Sequence, residues 1–218
     1  MKNRKHRELC IALCLLAAFV LWTALVRLTD VQAIGPRESA VGFATVNKAF
    51  HDLTGVHMSL YIITDWLGLV PIGVAMGFAI LGLAQWIGRK RLLQVDRSIL
   101  ALGGFYLAVI AVYIFFEMVV VNYRPVLIDG FLEASYPSST TMLVLCVMPT
   151  AIIQLNAHIR NRGIRRCVAF AIAAFTAFMV IGRLASGVHW LSDIVGGALV
   201  SSGMVMMYHA IGSPAKKC

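Results

Sequence analysis

Six long apolar stretches, separated by short polar or basic segments, dominate the pattern of this chain. They run over Leu9 to Leu28, Leu60 to Ile87, Ile99 to Val121, Thr141 to Ala157, Cys167 to Ile181 and Trp190 to Ile211, the fifth being the shortest. A helix needs about 20 mostly apolar residues to cross the hydrocarbon layer, where its own segment has to satisfy every backbone polar group. The pattern predicts an all-α integral membrane helical bundle of about six transmembrane helices, one domain over residues 1–218. The first stretch follows Lys2, Arg4, Lys5 and Arg7 and precedes Val31-Gln32-Ala33, a loose cleavage pattern, so a retained anchor and a secretory signal are both readings. Its apolar run exceeds a usual signal core, which favours the anchor. Between the first two spans, Val41, Phe43, Val46, Phe50 and Leu53 suit a helix on the membrane surface and, equally, an ordered loop over the bundle. Pro71 and Pro149 fall inside spans and predict kinks there.

Composition agrees with the pattern. The chain is 60% hydrophobic and 13% charged, where a soluble domain carries about a quarter charged residues. A net charge of +9 would suit nucleic acid if it formed one basic face, but the basic residues stand in blocks between apolar runs. Fourteen of the nineteen Lys and Arg fall on one side of a six-span layout: the N-terminal four, Arg89, Lys90, Arg91 and Arg97, Arg160, Arg162, Arg165 and Arg166, and Lys216 and Lys217. The positive-inside rule therefore predicts a cell-membrane protein with both termini cytoplasmic. The loops carrying Arg124 and Arg183 then face outward. Cys10, Cys14, Cys146, Cys167 and Cys218 lie in or beside apolar stretches without metal-ligand spacing and read as small apolar side chains. Lipidation of Cys218 stays open, although the terminus lacks a prenylation motif.

Three polar segments gather at the outward end: E-M-V-V-V-N-Y-R-P from Glu117, Y-P-S-S-T-T-M from Tyr136, and G-R-L-A-S-G-V-H-W-L-S-D from Gly182. Arg124 and Arg183 offer forked donors that match phosphate oxygens. Ser138, Ser139, Thr140 and Thr141 open the fourth span after Pro137, so hydroxyls and helix N-terminal N–H groups favour an anion there. His189 and Asp193 are four apart, which predicts one helix face, with the carboxylate fixing the imidazole tautomer and leaving the other ring nitrogen nucleophilic.

These segments resemble the signature of the type 2 phosphatidic acid phosphatase and vanadium haloperoxidase superfamily: K-x6-R-P, then P-S-G-H, then S-R-x5-H-x3-D. The resemblance covers about Ile99 to Ile211. It implies a phosphohistidine on His189, phosphate held by Arg124, Arg183 and the Ser138–Thr140 segment, and Asp193 orienting His189. For the phosphatase branch it implies no metal and no cofactor. The partner would be a membrane lipid substrate in the bilayer, with no nucleic acid; the oligomeric state has no signal in the sequence.

The pattern is broken in three places. Glu117 stands where the family has lysine, Thr140 where it has histidine, and Gly182 where it has serine. The missing histidine protonates the leaving group in the family, and threonine cannot do so near neutrality. An alkoxide leaving group, with a conjugate acid near roughly 16, needs that proton far more than a departing phosphate, near roughly 6. The expectation is a membrane phosphatase that prefers a lipid diphosphate, such as a polyprenyl diphosphate. Two alternatives stay open: an impaired member that binds or moves a phosphorylated lipid, and a lipid phosphotransferase. Glu117, Asp129 or Glu133 could serve as a substitute acid if burial raised its pKa.

Overall fold

The computed structural model describes residues 2–212, so Cys218, Lys216 and Lys217 lie outside the described residues. Among the described residues eight α-helices are formed: α1 (Lys2–Leu28), α2 (Ala44–Thr54), α3 (Met58–Leu67), α4 (Leu69–Arg89), α5 (Arg97–Met118), α6 (Ser139–His158), α7 (Arg162–Ala185) and α8 (Leu191–Gly212). Among the described residues six stretches are long and apolar enough to cross a membrane: Arg4–Leu28, Met58–Arg89, Arg97–Met118, Ser139–Ala157, Arg162–Ala185 and Leu191–Ile211. The fifth span is longer than its apolar core suggested, because α7 begins at Arg162 in a basic turn and is capped by the Asn161 side chain.

The second span is two helices. Pro71 has no N–H to give the carbonyl four residues earlier, at Leu67, and the break between α3 and α4 falls there, at Gly68. Pro149, by contrast, lies within a continuous α6. The surface segment does hold a helix, α2, which docks on α8 through Asn47 while Val46 and Leu53 stay exposed.

α6 and α8 occupy the middle of the bundle. Met142, Val144, Cys146 and Val147 of α6 and Ile194, Val200 and Tyr208 of α8 are buried, with α1 packed along α8. Ile80, Ile87, Leu107 and Phe170 point outward, as expected where lipid tails replace water around the bundle. Because successive spans alternate in direction, the ends of α1, α5 and α7 and the starts of α6 and α8 meet at one end. The basic turns at Arg89–Arg97 and Arg160–Arg166 lie at the other. Cys10, Cys14, Cys146 and Cys167 are unpaired thiols.

Candidate active site

The loop between α5 and α6 is shaped by its own sequence. Asp129 and Gly130, with φ of 49° and 82°, form the two-residue centre of a tight antiparallel turn in which Ile128 and Phe131 exchange backbone hydrogen bonds, the conformation that an Asp-Gly pair favours. Behind it the two arms pair: Arg124 N donates to Glu133 O at 3.1 Å and Ser135 N to Asn122 O at 2.9 Å. Asn122 and Arg124 are thereby set beside Glu133 and Ser135. The next residues, Tyr136 to Ser138, lie against α8, where a Cβ at Gly196 would come within 2.6 Å of the Tyr136 ring. Ser138 N donates to Asp193 O at 3.1 Å, tying the start of α6 to the start of α8.

A buried polar chain runs from Asp193 to His189. Ser135 Oγ donates to Asp193 Oδ2 at 2.5 Å and stands 3.0 Å from His189 Nδ1. Asp193 also accepts from Trp190 N at 3.0 Å, Asn122 Nδ2 at 3.1 Å and Ser192 Oγ at 3.3 Å. The sequence expectation of a direct contact between Asp193 and His189 is corrected here. Helical i, i+4 stacking needs both residues in the helix, but α8 starts at Leu191 and His189 precedes it, after a turn in which Gly187 has φ of 68°. Ser135 fills the gap. Since its single proton goes to the carboxylate, Nδ1 of His189 has to be the donor to Ser135, and Nε2 keeps its lone pair. Nε2 faces Nη1 of Arg124 at 3.3 Å. Burial first, then the Arg124 and Arg183 guanidiniums, hold the His189 pKa well below its ordinary value against the opposing pull of Ser135, so the ring is neutral at pH 7.

The two arginines share Tyr61, whose ring centroid lies 5.8 Å from Arg124 Cζ and 4.9 Å from Arg183 Cζ. Nε of Arg124 pairs with Glu133 at 3.0 Å. Arg183 is almost fully buried; its Nη2 donates to Thr140 Oγ1 at 2.5 Å and to Asp65 Oδ1 at 2.8 Å. Its Nε and Nη1, and the Ser138 hydroxyl, are buried without a protein partner. The first intrahelical bond of α6 is from Met142 N to Ser138 O, so the N–H groups of Ser139, Thr140 and Thr141 precede any helical acceptor. Ser139, His189, Ser135 and Glu117 line one small cavity of about 10 Å³.

All the predicted site residues therefore stand at one end of the bundle. The burial assumed for a substitute acid is absent, because Glu117 and Asp129 are exposed and Glu133 is partly exposed. Sequence reading missed Ser135, Asn122, Tyr61 and Asp65. Asp65 carried a usable signal, being an ionisable residue inside a predicted span.

A search of curated proteins gives no match. The solved structure of the first transmembrane PAP2 type phosphatidylglycerolphosphate phosphatase from Bacillus subtilis is similar, with a TM-score of 0.52, 19% identity, and coverage of 91% of this chain and 94% of that one. At that identity the likeness speaks for the fold. The PAP2 superfamily profile matches residues 101–216, more than half of the 218 residues and all three signature segments. With six membrane-crossing stretches and the motif residues gathered at one end, this chain belongs to the PAP2 superfamily.

Proposed function

We propose that the chain hydrolyses a phosphorylated lipid at the non-cytoplasmic membrane face, with His189 as nucleophile and a lipid diphosphate, such as a polyprenyl diphosphate, as the preferred substrate. The observation that carries this reading is the run Asp193–Ser135–His189, which leaves the Nε2 lone pair facing Arg124. Nε2 attacks the terminal phosphorus, and the P–O bond to the rest of the lipid breaks with its electron pair going to that oxygen. Water then attacks the phosphohistidine, Nε2 recovers its pair, inorganic phosphate leaves, and the surplus proton goes to solvent. Asp193, through Ser135, balances the positive charge that the ring acquires.

Arg124, Arg183, Ser138, Ser139 and Thr140 are assigned to the phosphoryl oxygens; the unpartnered Arg183 nitrogens and Ser138 hydroxyl support this, since buried donors are otherwise costly. Thr140 accepts from Arg183 and so supports binding, without replacing the acid. That favours a leaving group needing no proton, which a lipid diphosphate supplies. The sidedness rests on the basic turns lying at the opposite end.

Phosphate release by purified protein, given a polyprenyl diphosphate and phosphatidate side by side, tests both halves. Release should be faster from the diphosphate and lost in His189→Ala, and Thr140→His should raise monoester turnover selectively. Turnover that survives His189→Ala rejects the mechanism, and faster release from phosphatidate rejects the preference. Binding of either lipid with no release would assign the chain to lipid binding instead.

A further inference from the structure

The family match begins at residue 101, yet one wall of the arginine site comes from earlier in the chain. α3 presents Tyr61 and Asp65, one turn apart, to the guanidiniums. Tyr61 lies under both, and Asp65 reaches Nη2 of Arg183 at 2.8 Å, the same nitrogen that Thr140 accepts from. The Asp65 side chain is 59% exposed against 2% for Arg183. The carboxylate therefore keeps one side outside the protein packing while it gives a desolvated guanidinium its charged partner.

α3 comes this close because residue 182 is glycine. A Cβ there would lie 2.7 Å from Cγ2 of Thr64 and 3.7 Å from Cδ1 of Leu60, and the serine of the superfamily pattern would be larger still. The contact continues past the helix start, where His57 N donates to Ser186 O at 2.9 Å. The departure at Gly182 has no chemistry of its own, but it has this packing reason.

We propose that Asp65 is a positioning residue for Arg183: with Thr140 it pins Nη2, so that the buried, unpartnered Nε and Nη1 are held for a phosphoryl group, and Gly182 is what allows α3 to deliver it. This deepens the proposed function and rests on Arg183 being a phosphate ligand. Asp65 touches Arg183 and acts through it.

Inorganic phosphate binding to the full detergent-solubilised chain, measured by calorimetry, is the primary readout, with kcat and KM on the lipid diphosphate beside it. Asp65→Ala should weaken phosphate about tenfold, the scale of one charge-assisted hydrogen bond. Asp65→Asn keeps a carbonyl acceptor for Nη2 and should stay within about threefold of wild type. Gly182→Ala should push α3 away and weaken phosphate as Asp65→Ala does, and the double variant should be no weaker, since both act on one contact. Adding Thr64→Ala to Gly182→Ala removes the clashing methyl and should recover affinity; it also keeps the test available if Gly182→Ala alone does not fold.

Unchanged or tighter phosphate binding in Asp65→Ala overturns the proposal. So do an Asn variant as weak as Ala, losses that multiply in the double variant, or a folded Gly182→Ala/Thr64→Ala protein that stays weak. Wild type that binds phosphate but hydrolyses no lipid would sink the hydrolase reading alone, whereas wild type that hydrolyses lipid but binds no phosphate would sink the Asp65 proposal alone.

Discussion

Asp193 and Asp65 are carboxylates at the same end of one bundle, in opposite settings. Asp193 is fully buried and receives four hydrogen bonds, from Ser135, Trp190, Asn122 and Ser192. Asp65 keeps 59% of its side chain exposed and holds one nitrogen of Arg183. A buried charge persists only when its oxygens are satisfied. The loop between α5 and α6 and the start of α8 supply those donors, so Asp193 cannot shift without several segments shifting too. Asp65 is held by far fewer contacts, and its exposed side leaves it free to adjust. Rigidity at this site thus comes from burial and donor count, and adjustability from exposure.

The sharpest way to break the contrast is Asp193→Asn. The amide keeps the volume but carries no charge to balance the positive ring that the proposed attack of Nε2 on phosphorus would form. By comparison with triads in which the acid is neutralised, kcat should fall by about 10^4-fold. Lipid diphosphate turnover and thermal unfolding measured together separate the chemical loss from a loss of fold. A kcat within tenfold of wild type would mean that the buried carboxylate is structural.

Ser135→Ala should cost less, about 10^2-fold in kcat. The variant removes the acceptor of Nδ1–H, but Ser135 lines a cavity of about 10 Å³, and the lost hydroxyl enlarges it towards the roughly 10–15 Å³ that one bridging water needs. Ser135→Thr, which restores a hydroxyl, should recover most of the rate. If Ser135→Ala were silent, His189 would not depend on this relay.

Much of the molecule was legible in one dimension. Spans announce themselves because lipid forbids exposed backbone polar groups, and the third motif carried His189, Asp193 and Arg183 at readable spacing. What stayed hidden depends on contacts between distant segments. Ser135 is one hydroxyl among several in A-S-Y-P-S-S-T-T, and only the pairing of Asn122 with Ser135 across the loop selects it. The direct His189–Asp193 contact was expected because spacing assumes a helix that begins two residues later. One feature was readable but unread, Asp129-Gly130 as a hairpin signal, whereas the break at Gly68 is the kink expected from the N–H that Pro71 lacks.

The smallest expected effect belongs to Glu133, the rim partner of Arg124 at 3.0 Å, with 42% of its side chain exposed. Exposed ion pairs contribute at most about 1 kcal/mol and are screened by salt. Its carboxylate sits beside Arg124, a proposed ligand of the anionic lipid head, so Glu133→Gln removes a weak attraction to Arg124 and a weak repulsion of substrate together. The expected outcome is an unchanged kcat and a KM lowered about twofold at low ionic strength, with the difference gone near 1 M salt, where the Debye length is about 3 Å. Measuring KM across that salt range checks it. A tenfold fall in kcat that persists in high salt would place Glu133 with Asp193 rather than with Asp65, and exposure would no longer separate fixed charges from adjustable ones at this site.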